Sequence, residues 1–177
     1  MRWLLACVLA LGTSVAQADG PLYAEFQIGA AGVRNGDLDF VPKLASVSAG
    51  FYLRKGIGLE IFADRGISTD RKDGFDLDLE GAHGIALRLE SPAVRRTRGF
   101  LILGAVEYSI NQQSVTTTGQ GDSSIDGDFT GLRVSLGITE RLERWENVLV
   151  SVEYRHYNAD EPLRVDALYL GLRINTP

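Results

Sequence analysis

Val148-Leu149-Val150-Ser151-Val152-Glu153-Tyr154-Arg155 is the stretch whose reading decides the fold. Val148, Val150, Val152 and Tyr154 fall on one parity; Ser151, Glu153 and Arg155 fall on the other. Successive side chains of a strand point to opposite faces, so this segment is a strand with one apolar and one polar face. The same alternation recurs along the chain. Clusters of Gly, Asp, Asn and Pro cut it into eight such strands, over about residues 22–33, 44–54, 57–66, 75–90, 99–111, 129–141, 148–157 and 165–175.

In the first strand Leu22, Ala24, Phe26 and Ile28 oppose Tyr23, Glu25 and Gln27, and in the third Ile57, Leu59, Ile61 and Ala63 oppose Gly58, Glu60 and Asp64. The fourth sets Leu77, Leu79, Ile85, Leu87 and Leu89 against Asp78, Glu80, Arg88 and Glu90. The fifth sets Phe100, Ile102, Val106, Tyr108 and Ile110 against Ala105, Glu107 and Ser109. An even number of strands joined neighbour to neighbour predicts an all-β fold, an eight-stranded antiparallel up-and-down barrel. Most segments exceed the roughly 9–11 residues that a tilted membrane strand needs. Apolar outside and polar inside, such a barrel is transmembrane. The connections after strands two, four and six are short and rich in Arg and Lys. The others carry Asp-rich stretches such as 70–74 and 121–128. Outer-membrane barrels have short periplasmic turns and longer extracellular loops, which places the acidic loops outside the cell.

Residues 1–18 have the pattern of a secretory signal peptide: Arg2, then the apolar run Trp3 to Leu11, then Ala16-Gln17-Ala18. Cleavage is expected between Ala18 and Asp19, leaving 19–177 as one barrel domain. The apolar run is too short to span a bilayer. Cys7 lies too early in it for a lipoprotein box. As the one cysteine of the chain, it leaves with the leader, so neither disulfides nor thiol chemistry are expected. The formal net charge of −5, with no basic stripe, excludes a nucleic-acid partner.

The polar faces carry a charge pattern. Upward strands one, three, five and seven bear Glu25, Glu60, Glu107 and Glu153; downward strands two, four, six and eight bear Arg54, Arg88, Arg133 and Arg173. An eight-stranded barrel is just wide enough for its interior to be filled by side chains. Buried charges must pair there, and the planar fork of Arg suits a carboxylate. The expectation is an internal salt-bridge network of these eight residues that plugs the lumen. A narrow pore lined by the same charges and a catalytic carboxylate site are the alternatives. Alternation alone does not say which face is inside, so a soluble periplasmic barrel that binds an apolar ligand is a further alternative. The aliphatic purity of one face and the Gly, Ala and Ser content of the other favour the membrane.

His83 falls on the apolar parity of strand four, where a bulge near Gly81 or Gly84, or a place at the membrane rim, would accommodate it. His156 stands beside Tyr154 and Tyr157, where an aromatic girdle is expected. No metal-spaced cluster and no cofactor motif is present. Arg155-His156-Tyr157-Asn158-Ala159 is similar to a His-containing stretch of the lipid A deacylases of the outer membrane. Their nucleophilic Ser follows the His; here no Ser lies beyond Ser151, so acyl transfer lacks a nucleophile and the chain is not expected to be an enzyme.

The whole segment after the leader resembles the outer-membrane β-barrel domain family, the OmpA/OmpX-like and opacity-type small barrels. The resemblance is carried by Gly58-Leu59-Glu60-Ile61, by Gly131-Leu132-Arg133-Val134-Ser135-Leu136-Gly137, by Val152-Glu153-Tyr154-Arg155 and by Val165 to Arg173. It implies an integral protein of the Gram-negative outer membrane, inserted by the barrel-assembly machinery and in contact with outer-membrane lipid and lipopolysaccharide. It also implies a role in envelope integrity or adhesion, with an extracellular partner reached through the acidic loops. No catalytic residue carries over. Such chains usually close on an aromatic residue, whereas this one ends Ile174-Asn175-Thr176-Pro177.

Overall fold

In the computed structural model, residues 22–35, 38–68, 70–72, 75–114, 125–158 and 163–176 are described. The leader, with Ala18 and Asp19, lies outside them, as do residues 73–74 and 121–124 of the acidic loop stretches. Among the described residues ten strands are present: β1 (Leu22–Asn35), β2 (Leu38–Phe40), β3 (Lys43–Arg54), β4 (Ile57–Ser68), β5 (Asp70–Lys72), β6 (Phe75–Glu90), β7 (Thr97–Ser114), β8 (Ile125–Arg141), β9 (Val148–Asn158) and β10 (Leu163–Asn175).

Eight of them close an antiparallel barrel in the order β1-β3-β4-β6-β7-β8-β9-β10. Closure is made by β10 on β1, from Tyr23 opposite Asn175 to Asn35 opposite Leu163. A closed ladder leaves no edge, which is what lets strands cross hydrocarbon. The short β2 and β5 extend the wall at the loop end, pairing with β1 and β6. At the turn end, Gly56 (φ 79°) makes the tight β3–β4 reversal, where a Cβ would meet the Glu90 carbonyl oxygen.

Burial in the closed barrel settles which face is which. Leu22, Phe26 and Ile28 of β1, Ile57, Leu59 and Ile61 of β4 and Leu168, Leu170, Leu172 and Ile174 of β10 are exposed on the outer wall. On β4 the apolar row runs from Ile57 to Ala63 before Arg65 appears. Seven residues at about 3.3 Å each, tilted by about 40°, make a band roughly 18 Å tall, somewhat shorter than the apolar belt of about 25 Å on outer-membrane barrels. At the loop end of the band, outward polarity begins at Lys43, Arg65, His83, Glu107, Thr130 and Asp166. The soluble apolar-ligand alternative would need these faces reversed, and they are not.

The fifth barrel strand, β7, corrects the sequence expectation. Phe100, Ile102 and Val106 point into the lumen and are buried; Leu103 and Glu107 point outward. Phe100-Leu101-Ile102-Leu103 is apolar on both parities, so alternation cannot orient it. The ladder does: Phe100 faces Gly137, a place only a lumen ring fills.

Candidate functional site: the filled lumen

The lumen is layered. Toward the loop end, Ala31, Val33, Leu44, Val165 and Ala167 are buried and form an apolar cap. Val33 pairs with Val165 and Ala31 with Ala167 across the closing seam, which fixes the cap on rigid ladder positions.

Beneath the cap the charged side chains form one alternating chain. Arg155 meets Asp64 at 2.7 Å and Glu153 at 2.8 Å. Arg133 links Glu153 at 2.8 Å to Glu60 at 3.1 Å. Arg88 links Glu60 at 3.3 Å to Glu25 at 3.5 Å and also meets Glu90 at 2.9 Å. Arg173 returns from Glu25 at 3.3 Å to Glu90 at 2.6 Å. At the turn end Arg98, about a third exposed, reaches Glu90 at 3.5 Å. Five carboxylates thus face four fully buried arginines and the rim Arg98, so the charges balance.

Neutral groups take up the remaining lone pairs. Gln27 donates to Glu25 at 3.1 Å and to Glu153 at 2.9 Å, and accepts from Arg155 at 2.7 Å. Tyr23 donates to Glu60 at 2.9 Å, Tyr157 to Asp64 and Ser151 to Glu25. Nη1 of Arg133 and Nε of Arg173 reach carboxylates as ion pairs without hydrogen-bond geometry, and two further nitrogens, Nη2 of Arg88 and of Arg173, are buried with neither kind of partner among the described residues. Both guanidinium groups instead lie on aromatic rings, which offset part of that cost.

Those rings belong to a unit repeated four times. Tyr23 stands opposite Gly50, Tyr169 opposite Gly29, Phe62 opposite Gly84 and Phe100 opposite Gly137. A Cβ at any of these glycines would come within 3.0 Å of the facing ring. Each ring also carries an arginine over it: Arg173 over Tyr23 at 4.0 Å, Arg155 over Tyr169 at 4.3 Å, Arg133 over Phe62 at 4.2 Å and Arg88 over Phe100 at 3.9 Å. Glycine makes the room, the ring fills it, and the ring fixes the height of the guanidinium.

Of the eight residues expected inside, Glu25, Glu60, Arg88, Arg133, Glu153 and Arg173 are brought together. Arg54 and Glu107 are not. Arg54 is exposed at the end of β3, where the register slips between Tyr52 and Arg54 as the chain enters its turn. Glu107 is exposed because β7 turns its other face inward, and it meets His83 at 3.8 Å on the outer wall. Sequence reading left out Asp64, Glu90 and Arg155, which lie on polar parities but break the rule of one Glu or one Arg per strand.

The register does shift between Leu79 and Gly81, and His83 sits outward at the rim of the band. Glu80, expected inside, is exposed beside that shift. On β9, Tyr154 faces outward as a girdle residue would, but Tyr157 is buried in the lumen. His156 Nδ1 lies 2.7 Å from Asp166 Oδ1 on the outer wall, and Tyr154 donates to the same oxygen at 2.5 Å. Among the described residues no group of three or more His, Cys, Asp or Glu could hold a metal ion.

A closed antiparallel barrel with an aliphatic outer band and a charged interior defines the class: a small transmembrane β-barrel. The profile of the "Outer membrane protein beta-barrel domain" family matches residues 3–175, and the chain belongs to that family. It is accordingly a protein of the Gram-negative outer membrane. Comparison with curated protein sequences finds no match. Among solved structures the chain is similar to Ail, the attachment invasion locus protein of Yersinia pestis, in complex with the heparin analogue sucrose octasulfate. That match has 12% identity and a TM-score of 0.64, covering 89% of this chain and 99% of that one. Neisserial surface protein A is similar at 18% identity and a TM-score of 0.60, covering 86% and 96%. The N-terminal barrel domain of Pseudomonas aeruginosa OprF is similar at 14% identity and a TM-score of 0.59, covering 89% and 100%. At these identities the likeness is one of fold.

Proposed function

We propose that this barrel is a non-enzymatic structural and surface-interaction protein of the outer membrane whose lumen is plugged rather than conducting. The observation that carries this is the continuous chain from Asp64 to Glu90, in which every buried carboxylate meets an arginine, lying under an apolar cap. A water-filled pore would leave such charges lining an open channel instead of pairing them with each other. With the interior closed, contact with other molecules falls to the outer wall, which meets membrane lipid, and to the loops.

The His156–Asp166 pair does not support a deacylase reading. Tyr157, next in sequence, points inward to Asp64, and Ser151 is buried against Glu25. Neither can act as a nucleophile beside His156. Export through a cleaved leader ending at Ala18 and insertion by the barrel-assembly machinery complete the proposal, supported by the sequence pattern of residues 1–18 and by family membership.

The test is a deletion strain scored for detergent sensitivity and for adherence to host cells or matrix. The strain is complemented with the full chain or with a chain in which residues 115–124 are replaced by a short Gly-Ser turn. Loss of either property on deletion, restored by the full chain, is expected. Adherence restored only by the full chain assigns the surface role to that loop. Deletion without effect on either property, or a lipid A acyl chain lost only when the protein is present, would overturn the proposal.

A further inference from the structure

The turn end of the barrel carries a charge opposite to that of the whole chain. Arg54, Lys55, Arg95, Arg96, Arg141 and Arg144 are exposed there, against Glu140, Glu143 and Glu146. That is a surplus of three positive charges on a chain whose formal net charge is −5. Arg96 pairs with Glu143, whereas Arg95, Arg141 and Arg144 make no ion pair among the described residues.

Two adjacent turns hold most of these groups on one plate. They are the β6–β7 turn, residues 91–96, and the β8–β9 turn, residues 142–147. The Arg141 amide donates to the Arg96 carbonyl at 3.1 Å, and the Arg96–Glu143 pair ties the same two turns through side chains. In the second turn the Trp145 amide donates to the Leu142 carbonyl at 3.3 Å, and the Val148 amide to that of Trp145 at 3.0 Å. In the first, Val94 and Thr97 exchange backbone hydrogen bonds at 3.0 and 3.2 Å. The plate is therefore shaped before any partner arrives, which lowers the ordering cost of binding.

Two apolar side chains stand among the cations: Val94 is 76% exposed and Trp145 58%. Both lie past the last rungs of the wall, which are Glu90 opposite Phe100 and Arg141 opposite Leu149. Glu140 and Thr97, paired across β8 and β7, already put a polar rung between the apolar band and the plate. The two side chains are thus not part of the wall that lipid covers. Trp and Arg are the residues that most often dominate the energy of a protein interface. Arg95 also has a φ of 59°, a left-handed conformation that Gly or Asn holds at less cost.

We infer that this plate docks an acidic segment of a periplasmic protein that also carries apolar side chains. Its carboxylates meet Arg95, Arg141 and Arg144, whose planar forks suit them, and its apolar groups cover Val94 and Trp145. Size sets the kind of partner. Residues 91–96 and 141–147 number thirteen, below the roughly 20–30 that each side of a standard stable interface contributes. The partner is therefore a short segment held transiently, not a globular face. The inference adds the turn end to the surfaces proposed above and rests on the membrane-embedded barrel, whose short turns face the periplasm.

The experiment places the full barrel in phosphatidylcholine nanodiscs, where both ends are open to solution. It is titrated with a fluorescein-labelled peptide of alternating Glu and Leu, read by anisotropy. One peptide per barrel is expected, with no binding to empty nanodiscs and little by the peptide in which Gln replaces Glu. R141E/R144E should bind it roughly 30-fold more weakly, since each reversal removes an attraction and adds a repulsion. W145A should bind roughly 10-fold more weakly. R95G should also bind more weakly while its urea midpoint stays level or rises, because Gly relieves the positive φ; that separates binding from folding. E107Q, at the loop end, should match the wild type. Wild-type binding by R141E/R144E or by W145A, or equal binding of the Gln peptide, would overturn the site. Absence of peptide binding by the wild type, with retention of phosphatidylglycerol or of purified murein sacculi lost in R141E/R144E, would overturn it in favour of a lipid or wall contact. Failure of the wild-type chain to enter the nanodisc with heat-modifiable gel mobility would overturn the barrel reading itself and the site with it.

Discussion

Replacing Arg155 by Met tests the interior most sharply. Arg155 is fully buried on the lumen side of β9. It meets Asp64 at 2.7 Å and Glu153 at 2.8 Å, and lies 4.3 Å from the Tyr169 ring centre. Met fills much of the same volume, so packing is largely kept. What is lost is the cation. Glu153 retains Arg133 at 2.8 Å, but Asp64 keeps only hydroxyl partners, Tyr157 and Tyr169. Removing one partner of a buried pair costs about 3–5 kcal/mol, and the ring contact adds about 1 kcal/mol. The expected destabilisation is therefore about 4–6 kcal/mol. Adding Asp64→Asn removes the stranded charge and should recover about 2 kcal/mol or more, the coupling expected between contacting residues. Urea titration in phosphatidylcholine vesicles reads both values, by gel mobility and by fluorescence of Trp145, the one tryptophan outside the leader. A cost for Arg155→Met below about 1 kcal/mol, or strict additivity in the double variant, would refute the reasoning, since surface substitutions already span about 0.5 kcal/mol.

Further predictions follow from the same geometry. Gly84→Ala and Gly137→Ala push against Phe62 and Phe100, and through them against Arg133 and Arg88; each should cost about 1–3 kcal/mol in the same titration. Arg54→Ala and Glu107→Gln touch no lumen contact and should stay within about 0.5 kcal/mol. Arg133→Met, which takes a cation from both Glu60 and Glu153, should cost about 3–5 kcal/mol by that assay. Leu136→Arg places a charge in the middle of the outer band and should cost about 2–4 kcal/mol in vesicles.

How much was legible in the sequence depended on what alternation can and cannot carry. Val148 to Arg155 shows its two faces without a structure, because Ser151, Glu153 and Arg155 share a parity and four apolar residues share the other. The same holds for the strand around Glu60 and the one around Arg173, so barrel, strand number and inward face could be read. Phe100 to Leu103 could not be oriented, since both parities are apolar; Glu107 was misplaced for that reason. Arg54 was misplaced because parity is lost where a register slips into a turn. The pairing of Arg155 with Asp64 joins residues on strands that are not neighbours in the barrel, so it depends on height in the lumen. Height follows from the stagger of the closed ladder, which no single strand encodes. The glycine, ring and arginine units were hidden likewise: Gly50 and Tyr23 both lie on polar parities, but only the register sets them opposite each other.

Planar-bilayer recording of the folded full-length barrel tests the central claim most directly. The paired charges beneath the apolar cap predict a membrane no more conductive than the protein-free bilayer, with no persistent open level at either polarity. A steady, ion-selective channel would contradict the plugged interior.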